Sequence, residues 1–371
     1  MINTDSDGRI ETGINVKDGA VNSGIEPMLS VRNLSTTFHT ANGSLKAVDD
    51  VSFDLNRNET LGVVGESGSG KSVMVRSVMG LIAVEHGVEQ HGSVLFDGVD
   101  IAQLPVRRLR EMWGSDIGMV LQDPMTSLNP VTRVGHQIVE TLRRHTDISR
   151  GEAKRRAVQL LQDVGIADPH HRVRLHPHEL SGGMRQRVTI AIALAANPNL
   201  LIGDEPTTAL DVTVQQQILN LLSRVQTERE MAMILVTHDL GVVRNHSDKI
   251  IVMYAGRIVE AAPTKSLFAG VKMPYTKALL DSLPRLNLPS HSRLRAISGS
   301  PPNLLGKLQG CRFAPRCPAA QDICRNEEAP LAATADDPTH EYRCWFPVGS
   351  SEYEESLRKI DSGNPVSEGA R

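Results

Sequence analysis

One stretch constrains the fold of this chain more than any other: Gly65-Glu66-Ser67-Gly68-Ser69-Gly70-Lys71-Ser72. It follows an apolar run at 61–64, which predicts a strand, and precedes residues 73–81, whose apolar positions recur at helical spacing. A G-x-x-x-x-G-K-[ST] motif between a strand and a helix is typical of a phosphate-binding loop, because its backbone N–H groups converge on phosphate oxygens. A Gly/Ser-rich turn alone would rarely supply the Lys-Ser pair and the preceding strand together. The motif predicts that a nucleoside triphosphate binds here, with Lys71 at the phosphates and Ser72 on Mg²⁺.

Composition narrows the class of protein. The chain has 371 residues, which is enough for two domains and a sizeable core. Its net charge of −3 argues against nucleic acid as the main partner, since that partner would favour a basic surface. The polar, acidic residues 1–26 do not resemble a secretory signal, and the longest uncharged apolar run, 188–203, is interrupted by a proline. We therefore expect a soluble chain whose role at a membrane is peripheral.

The order of predicted elements indicates an α/β domain that contains a helical insertion. Alternating apolar and polar residues at 29–34 and 48–55 predict an antiparallel β layer ahead of the phosphate loop. Helical periodicity dominates from about 131 to 197, and short apolar strands alternate with helices from 200 onward, as in a parallel sheet flanked by helices. We divide the chain into a flexible tail at 1–27, a main domain at 28–285, a cysteine-containing module at 286–346 and a second flexible tail at 347–371.

Polar side chains follow three of the predicted strands. Asp204 could hold Mg²⁺, and Glu205, which precedes Pro206 and is therefore expected to be extended, could act as a general base. Gln122 could offer its amide oxygen to a metal ion or a water molecule. His238 lies at the strand edge where open α/β sheets bind ligands. Considered one at a time, the glutamine and the histidine would be interpreted as a surface residue and a structural residue.

A glycine pair marks the start of an apolar helix within the sequence Leu180-Ser181-Gly182-Gly183-Met184. Ser181 is a natural N-cap, and the N–H groups beside the two glycines could accept an anion. Many helices begin in this way, so this motif is a weak indication when it stands alone.

Together the motifs resemble those of the ATP-binding subunit of an ABC transporter, and the resemblance covers about residues 28–283. It implies a P-loop ABC ATPase domain with a mixed sheet core, an antiparallel β layer and the helical insertion. The motifs that occur in the order found in that family are Gly65 to Ser72, Gln122, Leu180 to Met184, Asp204-Glu205, Ala209-Leu210-Asp211 and His238.

The resemblance implies a role for each residue of an ATP site. Lys71 and the loop N–H groups would bind the phosphates, while Ser72 and Gln122 would ligate Mg²⁺ with support from Asp204. Phe38 is the candidate for stacking on the adenine ring.

The resemblance also implies that the site is shared between two cassettes. Glu205 would activate water and His238 would contact the γ-phosphate. Ser181-Gly182-Gly183 would reach the γ-phosphate bound to a partner domain, and Asp211 would communicate across the interface. The active unit would therefore be a dimer with a second ATPase subunit, either identical or paralogous.

All four cysteines lie late in the chain, at Cys311, Cys317, Cys324 and Cys344. Their spacing lacks a C-x2-C pair, so common zinc signatures do not fit, yet four thiols within 34 residues suggest a shared ligand. The alternative is four unpaired cysteines that pack as small apolar residues and hold nothing. Residues 297–302, 310–318 and 122–130 are similar to those of oligopeptide and dipeptide importer ATPases. In that group the cysteines are associated with a [4Fe-4S] cluster, a centre that Cys₄ ligation suits, and zinc is the alternative. Nearby arginines would then offset the charge of the cluster: Arg312, Arg316 and Arg343.

This subfamily resemblance implies an ATPase on the cytoplasmic face of the cell membrane that energises import of oligopeptides or dipeptides. The implied partners are two transmembrane permease subunits, a second ABC ATPase subunit and an extracytoplasmic solute-binding protein. A nickel-importing ABC ATPase, a soluble ABC ATPase acting on DNA or ribosomes, and a metal-sensing module that only binds nucleotide are the alternatives. A DNA-acting or ribosome-acting ATPase would be expected to contain a long coiled coil or two cassettes, and a mere sensor would not hydrolyse ATP.

Overall fold

The computed structural model describes residues 26–82, 87–208, 210–283, 297–306 and 308–361. Most of the tail predicted at 1–27, Ala209 of the Ala-Leu-Asp motif, and the predicted boundary at 285–286 lie outside the described residues. The tail predicted at 347–371 is described only as far as residue 361.

Twelve strands and thirteen α-helices are present within the described residues. The strands are β1 (Leu29–Thr40), β2 (Gly43–Leu55), β3 (Thr60–Val64), β4 (Val88–Phe96), β5 (Val99–Asp100), β6 (Ile117–Val120), β7 (Leu200–Asp204), β8 (Ala232–Thr237), β9 (Lys249–Tyr254), β10 (Arg257–Pro263), β11 (Ala332–Ala333) and β12 (Glu341–Tyr342). The helices are α1 (Lys71–Val78), α2 (Val106–Met112), α3 (Pro124–Ser127), α4 (Val134–His145), α5 (Arg150–Asp163), α6 (Pro169–Arg172), α7 (Gly182–Ala193), α8 (Val212–Glu228), α9 (Leu240–His246), α10 (Thr264–Ala269), α11 (Pro274–Asp281), α12 (Asp322–Asn326) and α13 (Ser351–Asp361).

The antiparallel layer is a four-stranded sheet in the order β2-β1-β4-β5. In β1 the core contains Leu29 and Val31, which alternate as predicted, and Leu34, which a register shift after Val31 turns to the same side. Asp97 and Gly98 both have positive φ, of 46° and 77°, in the turn between β4 and β5. This geometry suits a two-residue hairpin turn, because it matches the right-handed twist of the strands. The predicted β layer is confirmed.

The main sheet has eight strands in the order β11-β12-β10-β9-β3-β8-β7-β6, and it is parallel from β9 to β6. In this register Val64 lies beside Thr237, and Asp204 lies beside Val236. The carboxyl ends of β3, β7 and β8 therefore meet at one edge, and the phosphate loop begins there. The mixed α/β fold is confirmed.

Helices α4 to α7 lie between β6 and β7 in the chain and form the helical insertion. Their apolar stripes meet in one core, in which Ile138, Leu142, Leu160 and Val188 are buried. The same core includes Val120 at the end of β6. The insertion is thus packed onto the sheet by apolar burial.

The C-terminal segment, residues 297–361, extends the main sheet. β12 pairs antiparallel with β10, with Tyr342 beside Glu260, and β11 pairs with β12 in turn. Glu260 is fully buried and accepts a hydrogen bond of 2.8 Å from His340, as well as bonds from two backbone N–H groups. An unpaired carboxylate in this position would be costly, so the residues that cover it belong to the folded core.

The structure differs from the flexible tail predicted at 347–371, because α13 occupies Ser351–Asp361. Tyr353 of this helix is only 6% exposed, which gives the helix an apolar contact with the rest of the fold. Glu355 and Lys359 pair one turn apart at 2.8 Å. The acidic composition concealed this helix, because one buried aromatic residue among charges produces a weak periodic signal.

Replacing Phe313 by alanine should loosen the C-terminal segment. Its ring is buried against Tyr254 and Tyr275, with both ring centroids at 5.3 Å. Truncating such a side chain typically costs about 3–5 kcal/mol. Urea unfolding should show a loss of this order for Phe313→Ala, whereas Ile323→Ala, at an exposed position of α12, should change the free energy of unfolding by less than about 1 kcal/mol. Equal losses for the two variants would contradict the packing described.

Candidate nucleotide-binding site

Glycine is required at two positions of the phosphate loop for steric reasons. A Cβ at Gly65 would lie 2.2 Å from the carbonyl oxygen of Met253. Gly70 has φ +98°, and a Cβ there would lie 2.3 Å from the carbonyl oxygen of Ala47. The loop is thus pressed against β9 and β2, and any larger residue would displace it.

Lys71 is the first residue of α1, and its side chain is 4% exposed. Its Nζ donates hydrogen bonds to the carbonyl oxygens of Gly65 at 2.7 Å and Glu66 at 2.9 Å. Burial lowers the pKa of Lys71, and the charges of Glu205 and Asp204 oppose that effect. The ammonium group is therefore held over the loop, where it can meet a phosphate oxygen.

Ser72 and Asp204 form the part of the site that suits a magnesium ion. The Ser72 hydroxyl donates to Oδ1 of Asp204 at 2.9 Å. Burial raises the pKa of Asp204, and the bond from Ser72 works against that rise. A hydroxyl and a carboxylate oxygen this close together are hard donors of the kind that Mg²⁺ prefers, so the residues present fit the ion.

Glu205 lies at the centre of a set of polar contacts. One carboxylate oxygen accepts hydrogen bonds from Gln122 at 3.0 Å and Thr208 at 2.9 Å, and it lies 3.5 Å from Nδ1 of His238. The other oxygen lies 4.0 Å from Nζ of Lys71. The structure therefore brings together four residues singled out in the sequence and adds Thr208, which the sequence analysis missed.

The prediction that the backbone of Glu205 is extended is wrong, because this residue has φ +49°. Its N–H donates to the carbonyl of Val236 at 3.0 Å, a bond across to β8 that outweighs the local preference of a residue before proline. Non-glycine residues held in such a conformation are strained, and they often cluster at functional sites.

The glycine pair of α7 and the Asp211 position lie at helix starts. The Ser181 hydroxyl caps α7 by accepting from the N–H of Met184, and Asp211 caps α8 by accepting from the N–H of Val214 at 2.9 Å. A Cβ at Gly183 would lie 2.8 Å from the side chain of Val214, so close packing of the two helices needs a glycine there. Within the part of the chain that the structure describes, the side chains of Ser181 and Asp211 form hydrogen bonds with the first turns of their own helices and not with the phosphate loop.

Phe38 is half-buried in β1, where it faces Leu45 of β2 and Val88 of β4 across the antiparallel layer. That layer contacts α1: the hydroxyls of Thr36 and Ser77 lie 2.8 Å apart. The stacking of Phe38 on adenine stays a prediction.

The iron–sulfur prediction is wrong, and so is its zinc alternative. Within residues 26–361, as far as they are described, no three His, Cys, Asp or Glu side chains are arranged to hold a metal ion. Burial raises the pKa of Cys317 and of Cys344 to about 12 and also raises that of Cys311. The four side chains line an apolar cavity of only about 20 Å³ together with Phe313 and Ala319.

The nearby arginines pair with carboxylates rather than with a cluster. Arg312 bonds to Asp49, Arg316 to Glu66, and Arg343 lies 3.5 Å from Asp50. The sequence pattern led to a metal hypothesis because cysteine spacing alone does not distinguish ligands from small apolar core residues.

Comparisons with known proteins agree with the geometry. Residues 48–208 match the family described as ABC transporter, and residues 259–324 match the family described as oligopeptide/dipeptide transporter, C-terminal region. The oligopeptide transport ATP-binding protein OppD of Bacillus subtilis is 48% identical over 319 residues, which cover 86% of this chain and 88% of that protein. The chain belongs to the ABC transporter family.

Two further relatives align with this chain over most of their length. The dipeptide transport ATP-binding protein DppD of Bacillus subtilis is 45% identical, with 87% of this chain and 95% of that protein covered. The oligopeptide transport ATP-binding protein OppD of Salmonella typhimurium is 47% identical, and the alignment covers 86% of this chain and 94% of that protein. Neither matched family is described as an iron–sulfur family.

Among solved structures, the ATP-binding cassette MJ0796, a dimer in a post-hydrolysis state bound to ADP and Pi, aligns with a TM-score of 0.58 and 28% identity. The alignment covers 64% of this chain and 99% of that one. The chain is thus an ABC-type ATPase. In the part of the chain that the structure describes, no helix combines the length and apolar character needed to cross a membrane.

Gly70→Ala should weaken ATP binding, because the new methyl group would collide with the Ala47 carbonyl and shift the loop. A competition assay against a fluorescent ATP analogue should show affinity reduced more than about tenfold, the equivalent of 1.4 kcal/mol. Gly98→Ala is the control, because Gly98 also has a positive φ but has nothing within 4 Å. It should lose about 1–3 kcal/mol of stability and bind ATP normally. Parental affinity in Gly70→Ala would contradict the steric argument.

Proposed function

We propose that this chain is the ATP-hydrolysing subunit of an importer for oligopeptides or dipeptides. The names of its relatives and the match of residues 259–324 to an oligopeptide/dipeptide transporter region support the substrate class. The observation that carries the enzymatic part is the convergence of Lys71, Gln122, Thr208 and His238 on Glu205.

In this proposal the phosphate loop and Lys71 bind the phosphates of ATP, and Phe38 stacks on adenine. Ser72, Asp204 and the amide oxygen of Gln122 would hold Mg²⁺, which neutralises phosphate charge when bound. The amide nitrogen of Gln122 faces Glu205, so its amide oxygen is the atom that can turn toward a metal.

Glu205 is proposed as the general base. Its carboxylate takes the proton of the attacking water, a role typically worth about 10²–10⁴ in rate. Gln122 and Thr208 fix the orientation of that carboxylate through hydrogen bonds to one oxygen. His238, whose side chain is 60% exposed, lies beside the same oxygen and can reach the γ-phosphate side of the site.

The proposed active unit is a dimer of cassettes. Ser181, Gly182 and Asp211 are exposed at the starts of α7 and α8, where free N–H groups and a carboxylate are open to a second chain. Ser181-Gly182-Gly183 would complete the ATP site of the partner cassette, and Asp211 would contact it. The partner is a second ATPase subunit, either identical or paralogous.

The proposed location is the cytoplasmic face of the membrane, on two transmembrane permease subunits that receive solute from an extracytoplasmic binding protein. A basic groove of about 1080 Å³ on the helical insertion supports a docking role. The groove is lined by α4, α5 and the α6–α7 connection, and its charged residues include Arg143, Arg144, Lys154 and Arg174. We assign this groove to a cytoplasmic segment of the permease.

Glu205→Gln should bind ATP but lose turnover, because an amide cannot accept the proton of water. Phosphate release should fall by about 10²-fold or more at saturating ATP. Glu111→Gln, at an exposed position of α2 that pairs only locally, should hydrolyse ATP at the parent rate. Turnover of Glu205→Gln at the parent rate would remove Glu205 from the role of base.

The substrate class can be tested on the whole importer. ATPase activity should be measured with the chain assembled in vesicles with its permease subunits, its partner ATPase and the binding protein. Di- and oligopeptides should raise the rate severalfold, and Ni²⁺ should not. Stimulation by Ni²⁺ without any effect of peptide would contradict the peptide assignment and support nickel import.

A further inference from the structure

We infer that Arg316 of the C-terminal segment is a positioning residue of the ATP site, which sets the phosphate loop through Glu66. This inference rests on the proposed ATP-binding function. It assigns to the C-terminal segment a part in nucleotide affinity, in addition to its contribution to the fold.

The contact is a two-pronged ion pair between segments 250 residues apart in sequence. The Arg316 guanidinium donates from Nη1 to Oε2 of Glu66 at 2.6 Å and from Nη2 to Oε1 at 2.9 Å. The Arg316 side chain is 4% exposed and that of Glu66 is 25% exposed. Two parallel hydrogen bonds between a guanidinium and a carboxylate fix the orientation of both groups and also neutralise their charges, because each carboxylate oxygen accepts from its own nitrogen.

Arg316 is itself held rigidly. It donates to the carbonyl oxygens of Ser298 at 2.9 Å and Ile297 at 3.3 Å, and to the hydroxyl of Tyr254 at 3.3 Å. Its guanidinium also lies over the rings of Tyr254 and Phe313, at 5.8 Å and 6.0 Å from their centroids. Because every side of the group is occupied, Arg316 can transmit the position of its segment to the loop.

The backbone of Glu66 is held by the aromatic cluster on which Arg316 also lies. Its N–H donates to the hydroxyl of Tyr275 at 2.9 Å, and Tyr275 packs on Tyr254 and Phe313. Tyr275 therefore holds the main chain of Glu66, and Arg316 holds its side chain. Lys71 in turn bonds to the Glu66 carbonyl at 2.9 Å, so the position of Glu66 affects the ammonium that meets the phosphates.

A second arginine supports the other end of the loop. Arg312 bonds to the carbonyl of Ala255 and to Asp49. The next residue, Gly256, donates its N–H to the carbonyl of Ser69 at 2.9 Å. The β9–β10 turn is thus fixed between the C-terminal segment and the phosphate loop.

Charge gives the pair a direct effect on nucleotide affinity. Glu66 places a carboxylate in a loop whose ligand is a polyanion, and an unpaired carboxylate there would repel phosphates. Arg316 neutralises it, and the hydrogen bonds that Arg316 donates to Glu66 raise the pKa of Arg316 further. Loss of Arg316 therefore leaves a misplaced loop and an uncompensated negative charge.

The test compares ATP affinity among full-length variants, by competition against a fluorescent ATP analogue. Arg316→Gln should raise the Kd for ATP about tenfold, because it removes the two parallel hydrogen bonds to Glu66 and leaves that carboxylate without its cation. The Kd of Arg316→Lys should lie between that of Arg316→Gln and that of the parent, because lysine keeps the positive charge but cannot form the two parallel hydrogen bonds. Adding Glu66→Gln to Arg316→Gln should recover part of the affinity, because the unpaired carboxylate is gone.

The control is Arg325→Gln, since Arg325 lies in the same segment, is half exposed and, among the residues that the structure describes, forms an ion pair only with Asp322. It should bind ATP like the parent. Parental affinity in a folded Arg316→Gln protein would overturn the inference, and so would a double variant no better than Arg316→Gln. A parent chain that fails to bind ATP would overturn the proposed function as well, so the two failures are distinguishable.

Discussion

Parallel hydrogen bonding among β3, β8 and β7 is the constraint on which the site depends. The register places Val64 beside Thr237 and Asp204 beside Val236, so residues far apart in the chain end their strands at one edge. A slip of one residue would turn alternate side chains to the opposite face, and the contact between Ser72 and Asp204 would be lost. The buried apolar faces of these strands hold the register, and the catalytic geometry follows from the core.

Local patterns were sufficient to predict most of this cassette. Period-2 alternation predicted β1 and β2, apolar runs predicted β3, β7 and β8, and the glycine loop predicted a nucleotide site at the end of β3. These signals are strong because one face or both faces of each element are buried. Short or polar elements gave weaker signals: β11 and β12 have two residues each, and α13 is mostly charged, so none of the three was anticipated.

The errors concern features that depend on contacts between distant residues. The sequence rule for a residue before proline predicted an extended Glu205, but a hydrogen bond to Val236 holds it at φ +49°. Cysteine spacing suggested a metal centre, whereas the described residues contain no group of three metal-ligating side chains arranged to hold an ion, and the thiols lie among apolar side chains. The partnership of Glu66 with Arg316 spans 250 residues, and no local pattern could indicate it.

The pairing of β12 with β10 limits how far the cassette can be shortened by engineering. Removing the chain beyond residue 297 would open the edge of the main sheet at β10 and leave Glu260 buried without His340. Unpaired strand edges invite association with other chains, and the Glu260 carboxylate would keep only its two backbone N–H partners. The shorter polypeptide would not be a minimal ATPase but an aggregation-prone fragment. The C-terminal segment is therefore a structural part of the enzyme and not a detachable appendage.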